Sequence, residues 1–188
     1  MTKIIRYTSM SGGYDPPIKD GRIYIPSSDK FATHRMNAKI AKIMPHKFLP
    51  KHDWSIWTDA NMTLKLTEKE LLEYFEYPEI GVFNHPMRSS IIKEISACRR
   101  LDSAQNLAYH EGKEGKLAMC GFIIRKNIEK VHKACEEWWA EICRGSTRDQ
   151  ISFPYTVGIY ATYKPLGTSN IKNNKWFKRT GHKGSRNQ

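Results

Sequence analysis

The stretch WSIWTDANMTL, residues 54–64, decides the fold. Four of its first five residues are aromatic or β-branched, as a buried strand requires. The run then stops abruptly on Asp59-Ala60-Asn61, a carboxylate and an amide two residues apart. An ordinary strand-to-turn transition ends this way, because Asp and Asn side chains bond their own backbone in turns. The alternative is that the strand exists to hold those two polar groups in place.

Working outward, KIIRYT at 3–8 reads as a short buried strand, SGGYDPP as a glycine- and proline-marked loop, and RIYIPS as a second strand. From 29 to 44 helical spacing sets Phe31, Met36, Ile40 and Ile43 on one face, and Pro45 stops it. After DWSIWT, Thr67 with Glu70 three later forms a capping box that opens a helix. EIGVFN is a strand, and Pro86 predicts a helix start that runs to about Arg100, since proline suits a first helical turn. A polar helical stretch to His110 and the loop HEGKEGK come next. LAMCGFIIR is a sixth strand, and the next segment is an amphipathic helix with Ile128, Val131, Ala134, Cys135, Trp138 and Ile142 inward. Ser146 with Asp149 can start a short helix; beyond it the pattern weakens to short strands and a basic tail.

Strands alternating with helices predict one α/β domain built on a mainly parallel mixed sheet with flanking helices. The domain is expected over residues 1–165, with 166–188 as a basic segment packing on, or closing over, the site. Ligands of such sheets bind at the carboxyl ends of the strands. That rule nominates the loop after Thr8, the Asp59–Asn61 turn, and Asn84-His85.

The net charge is +12, and no acidic residue follows Asp149 while Lys164, Lys172, Lys175, Lys178, Arg179, Lys183 and Arg186 do. A solvated basic tail accounts for this, and so does a phosphate-contacting surface. Cys98, Cys120, Cys135 and Cys143 show no CxxC pairing, which argues against a zinc site and for a reduced, cytoplasmic setting. No run of 18 apolar residues is present, and the first residues lack a secretory leader's pattern.

Four constellations can carry chemistry. The loop YTSMSGGYD lets backbone approach a ligand through glycines such as Gly12, with Thr8 and Asp15 as hydrogen-bonding groups; it matches neither phosphate-loop pattern. Arg35, Lys39 and Lys42 share a helix face, either solvated or set to neutralise a diphosphate. Asp59 with Asn61 can hold Mg2+ or Mn2+, which take few protein oxygens and fill their shells with water and phosphate. In GSTRDQ, Arg148, Asp149 and Gln150 can face a substrate, with the carboxylate accepting a hydroxyl proton. His85, Arg88 and His182 stand nearby in motif context.

YTSMSGGYD, AKIAKIMPHKFLPKHDWSIWTDAN, NHPMRSSIIKEI, GFIIRKN and EEWWAEICRGSTRDQISFPY together resemble, in order, the TOD/MUCI-type glycosyltransferase-like family over residues 4–160. The resemblance implies a GT-A fold that binds a nucleotide-diphosphate sugar, a UDP-sugar first, usually through a divalent metal. Asp59 would then stand at the first acid of the DxD motif, with Asn61 where the third position carries Asp. Thr8, Gly12, Tyr14 and Asp15 would lie by the base and ribose. Arg35, Lys39, Lys42, His85 and Arg88 would line the donor, and Asp149-Gln150 would touch the donor sugar or the acceptor. His182 would add a late metal contact.

The expected function is therefore glycosyl transfer to an anionic acceptor, either a hydroxymethylated base in DNA or a phosphorylated glycan core. Lys178, Arg179 and Lys183 would contact its phosphates, and Trp176 would offer a stacking surface. A non-catalytic nucleic-acid-binding module on the same scaffold is the alternative.

Overall fold

WSIWT forms the strand it was expected to form, and the sheet is organised around it. In the computed structural model, which describes residues 2–11, 17–74, 78–100, 102–168 and 175–181, β3 (Trp54–Thr58) is a central strand. It lies between β1 (Ile4–Met10) and β6 (Ala118–Lys126). Outside them are β2 (Ile23–Pro26) on one edge, then β5 (Ile80–Asn84) and β7 (Tyr163–Thr168) on the other, giving the order β2-β1-β3-β6-β5-β7. Every pairing in this sheet is parallel except the two made by β6, which runs against both β3 and β5. The domain is thus of the expected α/β type, with a mixed, mainly parallel sheet flanked by helices.

The period-two alternation along β3 sends neighbouring residues to opposite faces. Trp57 packs with Tyr7, Val82 and Ile123 in one core, and Ile56 packs with Phe83, Phe122 and Ile124 in the other. The first core is covered by α1 (His34–Ile43), α5 (Glu129–Arg144) and α6 (Asp149–Tyr160). The second is closed by Leu71 of α2 (Glu68–Tyr74) and by a small two-stranded sheet, β4 (Met62–Leu64) against β8 (Phe177–Arg179). A third cluster joins α3 (Ile91–Cys98) and α4 (Ala104–Ala108) to α6. The capping box is present: Thr67 Oγ1 accepts from Glu70 N, and Glu70 Oε2 accepts from Thr67 N at 2.8 Å.

Three expectations are corrected. The helix after Pro86 starts only at Ile91, capped by Ser90, because His85 Nδ1 takes the amides of Met87 and Arg88 at 3.2 and 3.0 Å. Those amides would otherwise be the free donors of a helical first turn. Ile128 is exposed rather than inward, since it is the N-cap of α5. The segment after Ser146 is not a short helix fading into strands but the twelve-residue α6, with Pro154 inside it. That helix is buried nearly all round, through Ile151, Ser152, Phe153, Thr156 and Val157. It has no polar face from which a periodicity could be read.

One buried group ties the sheet to the helix that bears the lysines. Arg125 of β6 donates to the carbonyls of Lys42 (2.7 Å) and Ile43 (3.1 Å) at the end of α1, and to the Tyr7 hydroxyl. No carboxylate among the described residues forms an ion pair with it, so the carbonyl end of the helix takes that role through the dipole. The last turn of α1, and Lys42 with it, is anchored to the sheet.

Candidate functional site

The carboxyl ends of β1, β3 and β5 open on the same edge of the sheet, and several of the polar groups nominated by the sequence collect there. Asp59 leaves β3 with its backbone N–H donating to Gly121 O at 2.9 Å. Its side chain is 31% exposed, and Oδ1 accepts from the Trp57 indole N–H at 3.1 Å. Oδ2 accepts from no side chain among the described residues. Just before the edge strand, Arg22 braces the turn by donating to Thr58 Oγ1 (2.9 Å) and to the Met62 carbonyl, while Asp20 holds the guanidinium at 2.5 Å.

Opposite lies a compact ionic cluster. Asp149, at the first turn of α6, bridges two ammonium groups of α1: Lys39 to Oδ1 at 3.0 Å and Lys42 to Oδ2 at 2.5 Å. Lys42 also approaches Asp59 Oδ1 at 3.7 Å. Spacing of three places both lysines on one helix face, and Arg125 fixes that face. Burial alone would raise the Asp149 pKa, but the two lysines outweigh it and hold the carboxyl far below the usual range. Burial works against the Lys42 charge too, yet Asp149 and Asp59 keep its pKa above the ordinary ammonium value. For Lys39 burial wins, and its pKa is lowered. A carboxylate so held accepts a proton poorly, which leaves Asp149 as an organiser of the lysines rather than a poised base.

Around this cluster several polar atoms are buried without a partner: Thr8 Oγ1, Ser9 Oγ, Asn61 Oδ1 and Gln150 Oε1. Buried polar atoms are nearly always hydrogen-bonded in folded proteins, so each calls for an explanation. Asn61 is informative. Its Nδ2 donates to Thr180 O at 2.8 Å, and Thr180 N returns a bond to Asn61 O at 3.0 Å, strapping the C-terminal strand to the turn. Its other amide atom, the oxygen, is left unused. Asn61 Oδ1 and Asp59 Oδ2 are oxygen donors that fit a divalent cation keeping most of its shell for water and phosphate. They do not make a closed cage, and among the described residues no group of three His, Cys, Asp or Glu side chains does.

Other expected residues lie elsewhere. Arg148, expected at the chemistry, turns away to Glu94 Oε1 at 2.9 Å. Arg88 holds the other oxygen of that fully buried carboxylate, and His85 stands against Arg88. Arg35 is solvent-exposed on α1, off the ionic cluster. Trp176, expected as an open stacking surface, is only 8% exposed and packs edge-on against Phe83 at 6.0 Å. An indole used to close the core cannot also stack on a base. Lys178 is exposed and Arg179 half-buried on β8. Gly12, Tyr14, Asp15, His182 and Lys183 lie outside the described residues.

Three residues of the site were not expected. A Cβ at Gly121 would stand 3.0 Å from Asp59 Oδ2 and 3.3 Å from Met62 Sδ, so glycine gives the Asp59 carboxylate its room. A lone glycine inside an apolar strand signals such close approach. Arg125 was legible as a charge inside the apolar run GFIIRKN. Nothing in the sequence marked Arg22.

Known proteins similar to this chain include glycosyltransferases. A curated relative, "Probable hexosyltransferase MUCI70" of Arabidopsis thaliana, is 23% identical over 153 residues, covering 70% of this chain and 26% of the relative. The chain therefore spans about a quarter of that protein's length. Among solved structures, the STIV protein A197 aligns at a TM-score of 0.44 with 15% identity, over 89% of this chain and 83% of that one. Mouse xyloside xylosyltransferase 1, in its apo form, aligns at 0.43 with 14% identity, over 76% and 55%. The model of the TOD1/MUCI70 glycosyltransferase-like domain matches residues 21–176, which take in α1, the Asp59 turn and Asp149, and the chain belongs to that family.

Proposed function

We propose that the chain transfers a sugar, a hexose, from a UDP-sugar to a hydroxyl of an anionic acceptor, with Mn2+ or Mg2+ on Asp59 and Asn61. The observation that carries this reading is the cluster of Asp149, Lys39, Lys42 and Asp59 at the carboxyl ends of β1 and β3. Its charges decide what else is needed. Two ammonium groups face two carboxylates, so the cluster is neutral before any ligand arrives. A diphosphate requires further positive charge, and the unused oxygens of Asp59 and Asn61 are where a divalent cation would supply it. Such a cation stabilises the charge that grows on the departing nucleotide diphosphate.

The chain's own residues do the rest. Lys42 and Lys39 stand ready to donate hydrogen bonds to phosphate oxygens as Asp149 shares them. Thr8 Oγ1 and Ser9 Oγ, buried and unpartnered at the end of β1, offer hydroxyls to the nucleoside side. Gln150 Oε1, beside Asp149, is an acceptor for a sugar hydroxyl. Thr180, just after β8, is strapped to Asn61 and steadies the turn from the other side.

The test is hydrolysis of a panel of nucleotide sugars with and without Mn2+, followed by addition of hydroxymethylated DNA or a phosphorylated glycan. Cation-dependent turnover of a UDP-sugar is expected, abolished in Asp59→Ala with the thermal midpoint unchanged. Conversion of hydrolysis into transfer by one acceptor identifies it. No turnover of any donor, with UDP binding equal in wild type and Asp59→Ala, overturns the proposal. Salt-dependent DNA binding without turnover would then favour the binding module.

A further inference from the structure

The His85–Arg88 pair presents a hydrogen-bonding conflict whose resolution points to a ligand. His85 Nδ1 lies 3.2 Å from Met87 N and 3.0 Å from Arg88 N. Backbone amides only donate, so Nδ1 is the acceptor and carries no proton. In a neutral imidazole the proton is then on Nε2. Burial first, and Arg88 after it, lower the His85 pKa and favour that neutral form. Yet Nε2 lies 3.2 Å from Arg88 Nη2, and a guanidinium nitrogen also only donates. Two N–H groups thus converge with no acceptor between them.

The charges around the pair point the same way. Glu94 is fully buried and holds Arg88 on one oxygen and Arg148 on the other. Two guanidinium groups against one carboxylate leave a surplus of one positive charge, whereas the lysine cluster is neutral. The arginines are not sealed off: about a quarter of each side chain is exposed, 25% for Arg88 and 26% for Arg148. Met87 and Ile92, flanking this junction in the chain, are 72% and 65% exposed and leave apolar surface beside it. Asp149 reaches α1 while its neighbour Arg148 reaches α3, so the surplus charge is carried on a different element from the lysines.

We propose that Arg88 and the Nε2–H of His85 form an anion subsite, poised by Glu94 and Arg148, that takes a carboxylate or phosphate group of the acceptor. It rests on the transferase reading for the word acceptor, and on the convergent donors for the anion. An anionic oxygen between the two N–H groups accepts from both at once and neutralises the surplus charge. His85 and Arg88, expected along the donor, are reassigned to the acceptor side.

The experiment titrates inorganic phosphate and, separately, acetate into the whole protein while the His85 imidazole nitrogens are followed by NMR. A saturable shift of His85 Nε2 is expected with at least one of them, and the stronger response identifies phosphate or carboxylate as the preferred group. Affinity should fall about tenfold or more in Arg88→Gln, the scale of a lost charge-assisted bond, and stay within about twofold in Lys39→Gln. Arg88→Lys, which keeps the charge on Glu94, carries the test if Arg88→Gln does not fold. UDP at saturation should leave the response in place. Absence of a saturable His85 response, its survival in the Arg88 variants, or its loss on adding UDP overturns the proposal. No sugar transfer is read, so failure here is separable from failure of the transferase reading.

Discussion

Replacing Asp149 by Asn tests the centre of the site. The substitution keeps the shape and removes the charge that binds Lys39 at 3.0 Å and Lys42 at 2.5 Å. Lys42 keeps only a looser approach to Asp59, at 3.7 Å, and Lys39 keeps no carboxylate among the described residues. Breaking a buried pair from one side strands its partner and typically costs about 3–5 kcal/mol, against roughly 0–1 kcal/mol for an exposed pair. At about 2–4 °C per kcal/mol for a chain of this size, the midpoint should fall by roughly 6–20 °C. Urea unfolding and calorimetry measure both. The sign with pH is fixed as well. A carboxyl whose folded pKa lies below its unfolded value, about 3.9, stabilises fully above that value. The contribution is lost as pH falls, so the two stability curves should converge below about pH 4. In a Lys39→Met background the cost of Asp149→Asn should shrink, because one stranded charge is already gone. A cost under about 1 kcal/mol at pH 7, or curves that stay parallel to pH 3, would refute a buried ionic lock.

Other contacts give further expected outcomes. Gly121→Ala should displace the Asp59 carboxylate by a few tenths of an ångström and cut donor turnover on the order of tenfold, with the midpoint nearly unchanged; steady-state kinetics beside a thermal scan decide this. Arg125→Met should cost about 1–3 kcal/mol in urea by leaving the Ile43 carbonyl without its donor, and should weaken UDP binding through Lys42. His46, His52, His85, His110 and His132 all have pKa values lowered first by burial. Their neutral forms belong to the folded state, so stability is complete above about pH 6.5 and falls as pH drops below it; a midpoint flat from pH 7.5 to 5.5 would contradict this.

Much of the fold was legible because most elements carry one period and one punctuation mark. Val131, Ala134, Cys135, Trp138 and Ile142 fall on a helical stripe, and all five are buried. Thr67 and Glu70 announce their helix through a contact made within one turn. The failures have a common physical form. The helix bearing Asp149 is enclosed on nearly every side, so its sequence shows neither stripe nor alternation, and Pro154 reads as a stop. The segment after Pro86 was misread because a side chain two or three residues away, His85, claims the amides a helix would leave free. The direction of β6 was equally hidden. A strand's apolar run is the same whichever way it points, and only its partners Ile56 and Val82 reveal the antiparallel register. Within the site, Lys39, Lys42 and Asp59 were found from spacing and position. Their meeting with Asp149, about 90 to 110 residues on in the chain, is a tertiary fact that no local pattern encodes.

The two ionic groups explain one another when taken together. Arg148 and Asp149 are consecutive, yet one is drawn to Glu94 on α3 and the other to the lysines of α1. The start of α6 therefore sorts charge: a cation to one flank, an anion to the other. The flank that receives the anion becomes neutral, and on the function proposed above a diphosphate arriving there would need a cation held by Asp59 and Asn61. The flank that receives the cation keeps one positive charge in excess and needs no metal to hold an anion. If, as proposed, the site admits an anionic donor and an anionic acceptor, it gains from this asymmetry, because each anion would be attracted by a different agent. Moving the charge at one position should thus redistribute preference rather than merely weaken binding. In Asp149→Asn the freed lysines should hold UDP with less dependence on Mn2+, while the His85 response to phosphate stays as it was. Loss of both together would mean that the start of α6 serves one undivided site.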